Sequence, residues 1–198
     1  WVKQNGATNE RHVLDKGDCT GGGSWELMVI SGEPVFFLPA PFTFATATGT
    51  NVSDNQWHHI AGTYDGVMMR IYVDGRLAGT QAATSALSSN SIPVEIGGHC
   101  DGGGSCSGSC YWNGQIDEAR VYNRALSDDE VSQLYRLNVP TGTDTSLKGY
   151  WSFNGQDVSG TTAYDRSGSG NNGTLTNGPT PARGKVGQAL NFVAASET

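Results

Sequence analysis

No run in this 198-residue chain approaches the ~20 consecutive apolar residues that span a bilayer, so no membrane-crossing helix is expected. Charge is scarce as well. Only 16% of residues are charged, and 12 Lys and Arg stand against 19 Asp and Glu, a formal net charge of -7. Nothing in that balance would neutralise a line of phosphates, which excludes nucleic acid as a partner. Cysteine is limited to four residues, Cys19, Cys100, Cys106 and Cys110. They lack the paired C-x-x-C knuckle of a zinc site and sit in Gly-rich stretches, DKGDCTGGGS and GGHCDGGGSCSGSCYWNG. An even set of loop cysteines fits disulfides in an oxidising, extracellular setting, with three pairings open. No secretory signal peptide is visible and residue 1 is Trp, so a processed, excised or partly recorded chain is expected.

What is abundant is glycine, 28 residues, with Ser, Thr and Asn around it. That composition suits many short strands joined by tight turns. WVKQ at the start reads as a strand. WELMVI (25–30) and PVFFLPA (34–40) bracket Ser31-Gly32 as a hairpin. HHIAGTY, VMMRIYV and RLAGTQ form a three-stranded meander, because Asp65-Gly66 and Asp74-Gly75 supply the positive φ angles that two-residue turns demand. SIPVEIGG (91–98) is a further strand, and GQIDEARVYN places Asp117, Ala119 and Val121 on one inward face. One helix is expected near 128–136, opened by the Ser127/Glu130 capping box, with Val131, Leu134 and Tyr135 on its buried side. NVPTGTDTS (138–146) reads as a linker, after which LKGYWSFN and GQALNF resume β character.

The residues supply no catalytic set. Asp117 and Glu118 are adjacent in a strand and point to opposite faces. Asp128-Asp129-Glu130 belong to the first turn of a helix, where acidic side chains complement the dipole. His58 and His59 have no Ser or Cys companion. For a glycan, which stacks on aromatic faces, the candidates are Trp25, Tyr111 and Trp112 beside the Gly-rich loops; core packing is the other role open to each. Asn51 and Asn172 begin N-x-[ST] sequons.

Residues 56–75 (QWHHIAGTYDGVMMRIYVDG) and 113–127 (NGQIDEARVYNRALS) resemble the second half of a laminin-G-like domain, a jelly roll of the concanavalin A type. Residues 147–192 (LKGYWSFNGQDVSG…GKVGQALNF) resemble the first half, yet they come afterwards. The resemblance implies an all-β, two-sheet antiparallel sandwich, circularly permuted or strand-complemented. Residues 1–137 would be its main body, 138–146 an inter-repeat linker, and 147–198 the opening strands of the next repeat. Those strands would complete a sandwich in their own chain or in a neighbour, since the linker reaches both. In the family's order, about twenty residues, roughly two strands, that would fall between Thr198 and Trp1 have no counterpart. The resemblance also implies a structural calcium held by Asp117 with oxygens from Asn154 and Asp165, although Asn154 stands where relatives commonly carry Asp. The function it implies is a non-catalytic extracellular module, secreted or on the cell surface, for adhesion or recognition of a glycan or surface protein. The alternative is a filament or sheath subunit that joins further copies of itself head-to-tail by strand complementation.

Overall fold

The computed structural model describes residues 1–6, 10–17, 24–39, 42–84, 86–87, 90–98, 111–137 and 144–193. The four cysteines and residues 138–143 of the expected linker lie outside the described residues. In chain order the strands are β1 (Val2–Gln4), β2 (Arg11–Asp15), β3 (Glu26–Ile30), β4 (Glu33–Leu38), β5 (Thr43–Thr46), β6 (Ile60–Tyr64), β7 (Met68–Val73), β8 (Arg76–Ala82) and β9 (Glu95–Ile96). Then follow β10 (Gly114–Ile116), β11 (Ala119–Tyr122), the helix α1 (Asp128–Tyr135), β12 (Leu147–Trp151), β13 (Val158–Ser159), β14 (Thr162–Ala163), β15 (Gly173–Thr174), β16 (Thr180–Arg183) and β17 (Gln188–Phe192). Among the described residues all of the strand pairings are antiparallel. No helix among the described residues is long and apolar enough to cross a membrane.

Turn chemistry places the first half. Ser31 and Gly32, at φ 51 and 88, join β3 to β4, and Asp74 and Gly75, at φ 50 and 73, join β7 to β8. The Asp65 carboxylate accepts the N–H groups of Val67 and Met68 at 2.9 and 2.7 Å and so closes the β6–β7 turn. The five-stranded sheet β5-β4-β3-β2-β9 packs on the sheet β6-β7-β8. Val13, Val29, Phe36 and Leu38 from one layer meet Met69, Ile71 and Val73 from the other in one buried cluster. Burial of this order, a few kcal/mol per large side chain, is what holds the layers together.

The second half joins that body by main-chain ladders. β12 pairs with β11, and β17 pairs with β10, whose other side carries β1 and gives the order β1-β10-β17-β16. Three elements differ from the sequence reading. The strand expected over 91–98 shrinks to Glu95–Ile96, which finds only Leu14 and Asp15 as partners. The run 114–122 is broken at Asp117 and Glu118, with Glu118 at φ 55, so Ile116 and Asp117 are both buried rather than on opposite faces. In α1 the capping box forms as expected and Val131 and Leu134 are buried. Tyr135, expected inside, lies at the surface with its ring stacked 5.5 Å from Trp1.

Candidate functional site

The break between β10 and β11 aims two adjacent carboxylates in different directions. Asp117 is 0% exposed, and its Oδ2 accepts the Val186 N–H at 2.8 Å in the turn between β16 and β17. Its Oδ1 has no hydrogen-bond partner among the described residues. Burial pushes this carboxyl up to about 6. Gly184 makes the approach possible, since a Cβ there would lie 2.6 Å from Asp117 Oδ2. Asn154 holds the same turn from the other side, its Oδ1 accepting the Gln188 N–H at 2.9 Å. Glu118 turns instead to β12: its Oε2 accepts from Arg120 at 2.7 Å and from the Tyr150 hydroxyl at 2.8 Å. The Arg120 guanidinium also lies 4.3 Å over the Tyr150 ring. The two carboxylates therefore do not converge on one cleft.

Asp165 organises its own loop. Its Oδ1 accepts the N–H groups of Tyr150 and Ser167, and its Oδ2 accepts the Ser167 hydroxyl and the Asn171 N–H, at 2.8–2.9 Å. Those four donors occupy all the lone-pair positions of a carboxylate. The structure thus brings Asp117 and Asn154 to one turn, while both oxygens of Asp165 are taken up by donors of its own loop and of β12. For an oxygen-seeking cation the donors fit in part: Asp117 Oδ1 is buried and unpartnered, and Asn154 Oδ1 is beside the same turn. Among the described residues no group of three or more His, Cys, Asp or Glu is placed to hold a metal.

The histidines serve packing and turn closure. His58 bridges Asp74 and Asp54 at 2.9 and 3.1 Å. His59 is buried against Trp1, its pKa pushed down to about 3 chiefly by burial, so it is neutral near pH 7. A buried carboxylate unmarked by the sequence reading, Asp157, accepts the Ser152 hydroxyl and pairs with Arg166 at 3.0 Å, pinning the loop after β12.

Two larger features remain. A cavity of about 470 Å³ opens beside Trp1, lined by Trp25, Phe36, Ile60, Gly62, Ala119 and Arg120 among others. The second is a cluster of rings on the β4–β5 hairpin. Phe37 and Phe44 are cross-strand partners stacked 4.5 Å apart, and Phe42 meets Phe37 edge-on at 5.1 Å. Phe42 is 71% exposed and Phe44 42%. Of the aromatics proposed from sequence, Trp112 is 0% exposed and packs in the core, so its ring cannot stack on a sugar. Trp25 is half-buried at the cavity wall, and Tyr111 is half-buried beside Gly98. The signal for Phe42 and Phe44 was present in PVFFLPAPFTF: two aromatics two residues apart, directly after Pro41.

The Laminin_G_3 family model, described as the concanavalin A-like lectin/glucanases superfamily, matches residues 1–132. No match was found among curated proteins. Among solved structures, one similar chain is a Bacteroides ovatus protein proposed to bind carbohydrate, at TM-score 0.72 and 17% identity over 98% of this chain and 52% of that one. This chain thus spans about half the length of that protein. A heptameric SAP-like pentraxin from Limulus polyphemus aligns at TM-score 0.49 and 18% identity, over 71% of this chain and 69% of that one. An S-layer domain-containing protein from Clostridium thermocellum aligns at TM-score 0.36 and 24% identity, over 68% and 66%.

Proposed function

This chain belongs to the concanavalin A-like lectin/glucanase superfamily, and on that premise we propose that it is a non-catalytic, extracellular module that recognises carbohydrate. The observation that carries the reading is the Phe37–Phe42–Phe44 cluster. Two exposed rings, Phe42 and Phe44, rest on the buried Phe37 and form a contiguous apolar patch of the kind that marks a binding site, whereas scattered single apolar residues do not. Phe42 is held at φ 50, a backbone conformation that costs a bulky residue of order 1 kcal/mol or more and is retained where surroundings or function demand it. The apolar face of a sugar ring stacks on such a platform. The divergence of Asp117 and Glu118 supports a module without turnover. Its Gly-rich loop cysteines support an oxidising location.

The test is retention on a glycan array by the chain and by its Phe42→Ala/Phe44→Ala variant. Retention lost in the variant, at unchanged far-UV circular dichroism, supports the reading. Retention that survives both changes moves the site away from the hairpin, to Trp25 or Tyr111. No retention on any glycan removes the reading.

A structural calcium belongs to the same proposal. It would take Asp117 Oδ1 and Asn154 Oδ1, with turn carbonyls and water completing its six to eight oxygens, and without Asp165. Calorimetric titration with calcium checks it, and an absent heat at millimolar concentration ends it. The rival reading, a filament subunit, would use the β11–β12 and β10–β17 joins between chains. Light scattering decides: a particle of 20.9 kDa supports the module, and ladders overturn it.

A further inference from the structure

The three rings of the β4–β5 hairpin are set at angles that restrict what can lie on them. Phe37 and Phe44 are nearly parallel, with 20° between their planes and 4.5 Å between their centroids. Phe42 stands across both, inclined by 68° to Phe37 and by 70° to Phe44. Its centroid is 5.1 Å from Phe37 and 6.4 Å from Phe44. Phe37 therefore lies at the base of a corner whose two sides are Phe42 and Phe44. Burial agrees, since Phe37 is enclosed while the other two rings are exposed. The backbone fixes the arrangement. Phe44 is the cross-strand partner of Phe37, and the Phe42 N–H donates to the Pro39 carbonyl at 3.2 Å, tying Phe42 to the residue after β4.

This shape excludes one kind of ligand. A flat polysaccharide chain lies on rings that share one plane along its length, and rings inclined by 70° share none. The corner suits a single sugar at a chain end. Its chemistry narrows the sugar further. None of the three side chains carries a charge or a hydrogen-bonding atom. A hydroxyl seated between Phe42 and Phe44 would give up water for no partner, a loss of roughly tenfold to a hundredfold in affinity. A methyl group there has no such loss and gains dispersion contact with two rings. Polar groups start one position out, with Thr46 two residues along β5 and Glu26 opposite Phe37 on β3, both on this face.

We propose that this corner is a methyl-recognising subsite whose ligand is a 6-deoxyhexose at the end of a glycan. The sugar's methyl enters the space between Phe42 and Phe44, above Phe37. The apolar face of its pyranose ring lies on Phe42, the more exposed of the two sides. Its hydroxyls turn outward, to Thr46 and water. A hexose that carries a hydroxymethyl group at the same carbon buries that hydroxyl unpaired and is rejected. A residue inside a chain is rejected as well, because one of its two glycosidic links would run into a side of the corner. The inference rests on the hairpin as the carbohydrate site and adds which sugar it takes.

NMR titration of the Phe42 and Phe44 ring protons tests this with pairs of sugars that differ only in methyl against hydroxymethyl. Methyl α-L-fucopyranoside is compared with methyl α-L-galactopyranoside, and methyl α-L-rhamnopyranoside with methyl α-L-mannopyranoside. In at least one pair the deoxy member should bind about tenfold tighter. Phe42→Leu keeps an apolar group but removes one side of the corner, and it should abolish that preference. Equal affinity within both pairs overturns the methyl subsite and leaves a hairpin that binds carbohydrate by stacking alone. A cello-oligosaccharide whose affinity grows with each added residue overturns the chain-end assignment. An N-acetylhexosaminide that binds more tightly than both deoxy sugars overturns the 6-deoxy assignment. Ring signals that move with none of these sugars overturn the subsite; if retention on the glycan array is absent too, the hairpin reading falls with it.

Discussion

β10 and β11 are separated by only Asp117 and Glu118, yet one is enclosed and the other is open. β10 has β1 on one side and β17 on the other. β11 has β12 on one side and a cavity on the other. A kink separates them, with Glu118 at positive φ between the end of β10 and the start of β11. The difference teaches that a ladder ends where a side chain captures the backbone. Asp117 is captured by the 184–187 turn and Glu118 by Arg120 and Tyr150.

The sharpest way to break the enclosed side is Gly114→Ala. Gly114 sits at φ 143, and a Cβ there would run into the Lys3 carbonyl. We expect a loss of roughly 4 kcal/mol, near the upper end for a point change. Thermal denaturation checks it, and an unchanged Tm would mean that β1 is not tightly seated. On the open side, Arg120→Leu leaves the buried Glu118 carboxylate with the Tyr150 hydroxyl alone, at a cost of about 3 kcal/mol. The double change Glu118→Gln/Arg120→Leu should recover most of that loss, since it removes the stranded charge as well.

The kink itself responds to pH. Asp117 in the folded chain is raised by burial from 3.8 to about 6, so the folded state holds this proton more tightly than the unfolded state. Its contribution to stability is whole below the unfolded value and is lost as pH rises through about 6. Asp117→Asn in cation-free buffer should therefore raise Tm by about 5 °C at neutral pH and leave it unchanged in acid. Calcium in excess that reverses this gain at neutral pH would establish the cation site. His59 opposes this trend: lowered to about 3, it withdraws stability as pH falls from 6.5. The comparison of variant with parent at each pH cancels that contribution. The smallest effect is expected away from the seam, where Ser127→Ala removes one half of the capping box and costs about 1 kcal/mol.

Much of the fold was legible because its causes are local. Ser31-Gly32 and Asp74-Gly75 announce positive φ, and Ser127 with Glu130 announces a helix start, without reference to anything distant. The short β9 was not legible, since its length is set by how little of β2 it can reach. The break at Glu118 was hidden for the same reason: its cause lies in Val186 and Tyr150, far along the chain. Asp117 is buried as the sequence suggested, although the strand alternation that suggested it breaks at Asp117 and Glu118. For Trp112 the sequence left sugar stacking and core packing both open, because an aromatic beside a Gly-rich loop looks the same from the sequence whether its ring is buried or free; the structure gives core packing. Phe42 and Phe44 carry the same ambiguity with the opposite outcome. The cavity had no sequence signal, since it arises from where strands fail to meet.

The join of β10 to β17 has a consequence in time. Ile116 pairs with Val2 on one side and with Leu190 on the other, and Leu190 leaves the ribosome 74 residues later. At ordinary rates of synthesis, that is a delay of roughly 4–15 s. During it the growing chain can build the local hairpins β3–β4 and β6–β8, but β10 has a bare flank and β11 has none of its partners. Such a nascent chain is one that a holding chaperone would bind, and its final closure is a late event governed by sequence separation rather than by local propensity. The order of the two halves along the chain thus sets when β10 and β11 gain their last ladders.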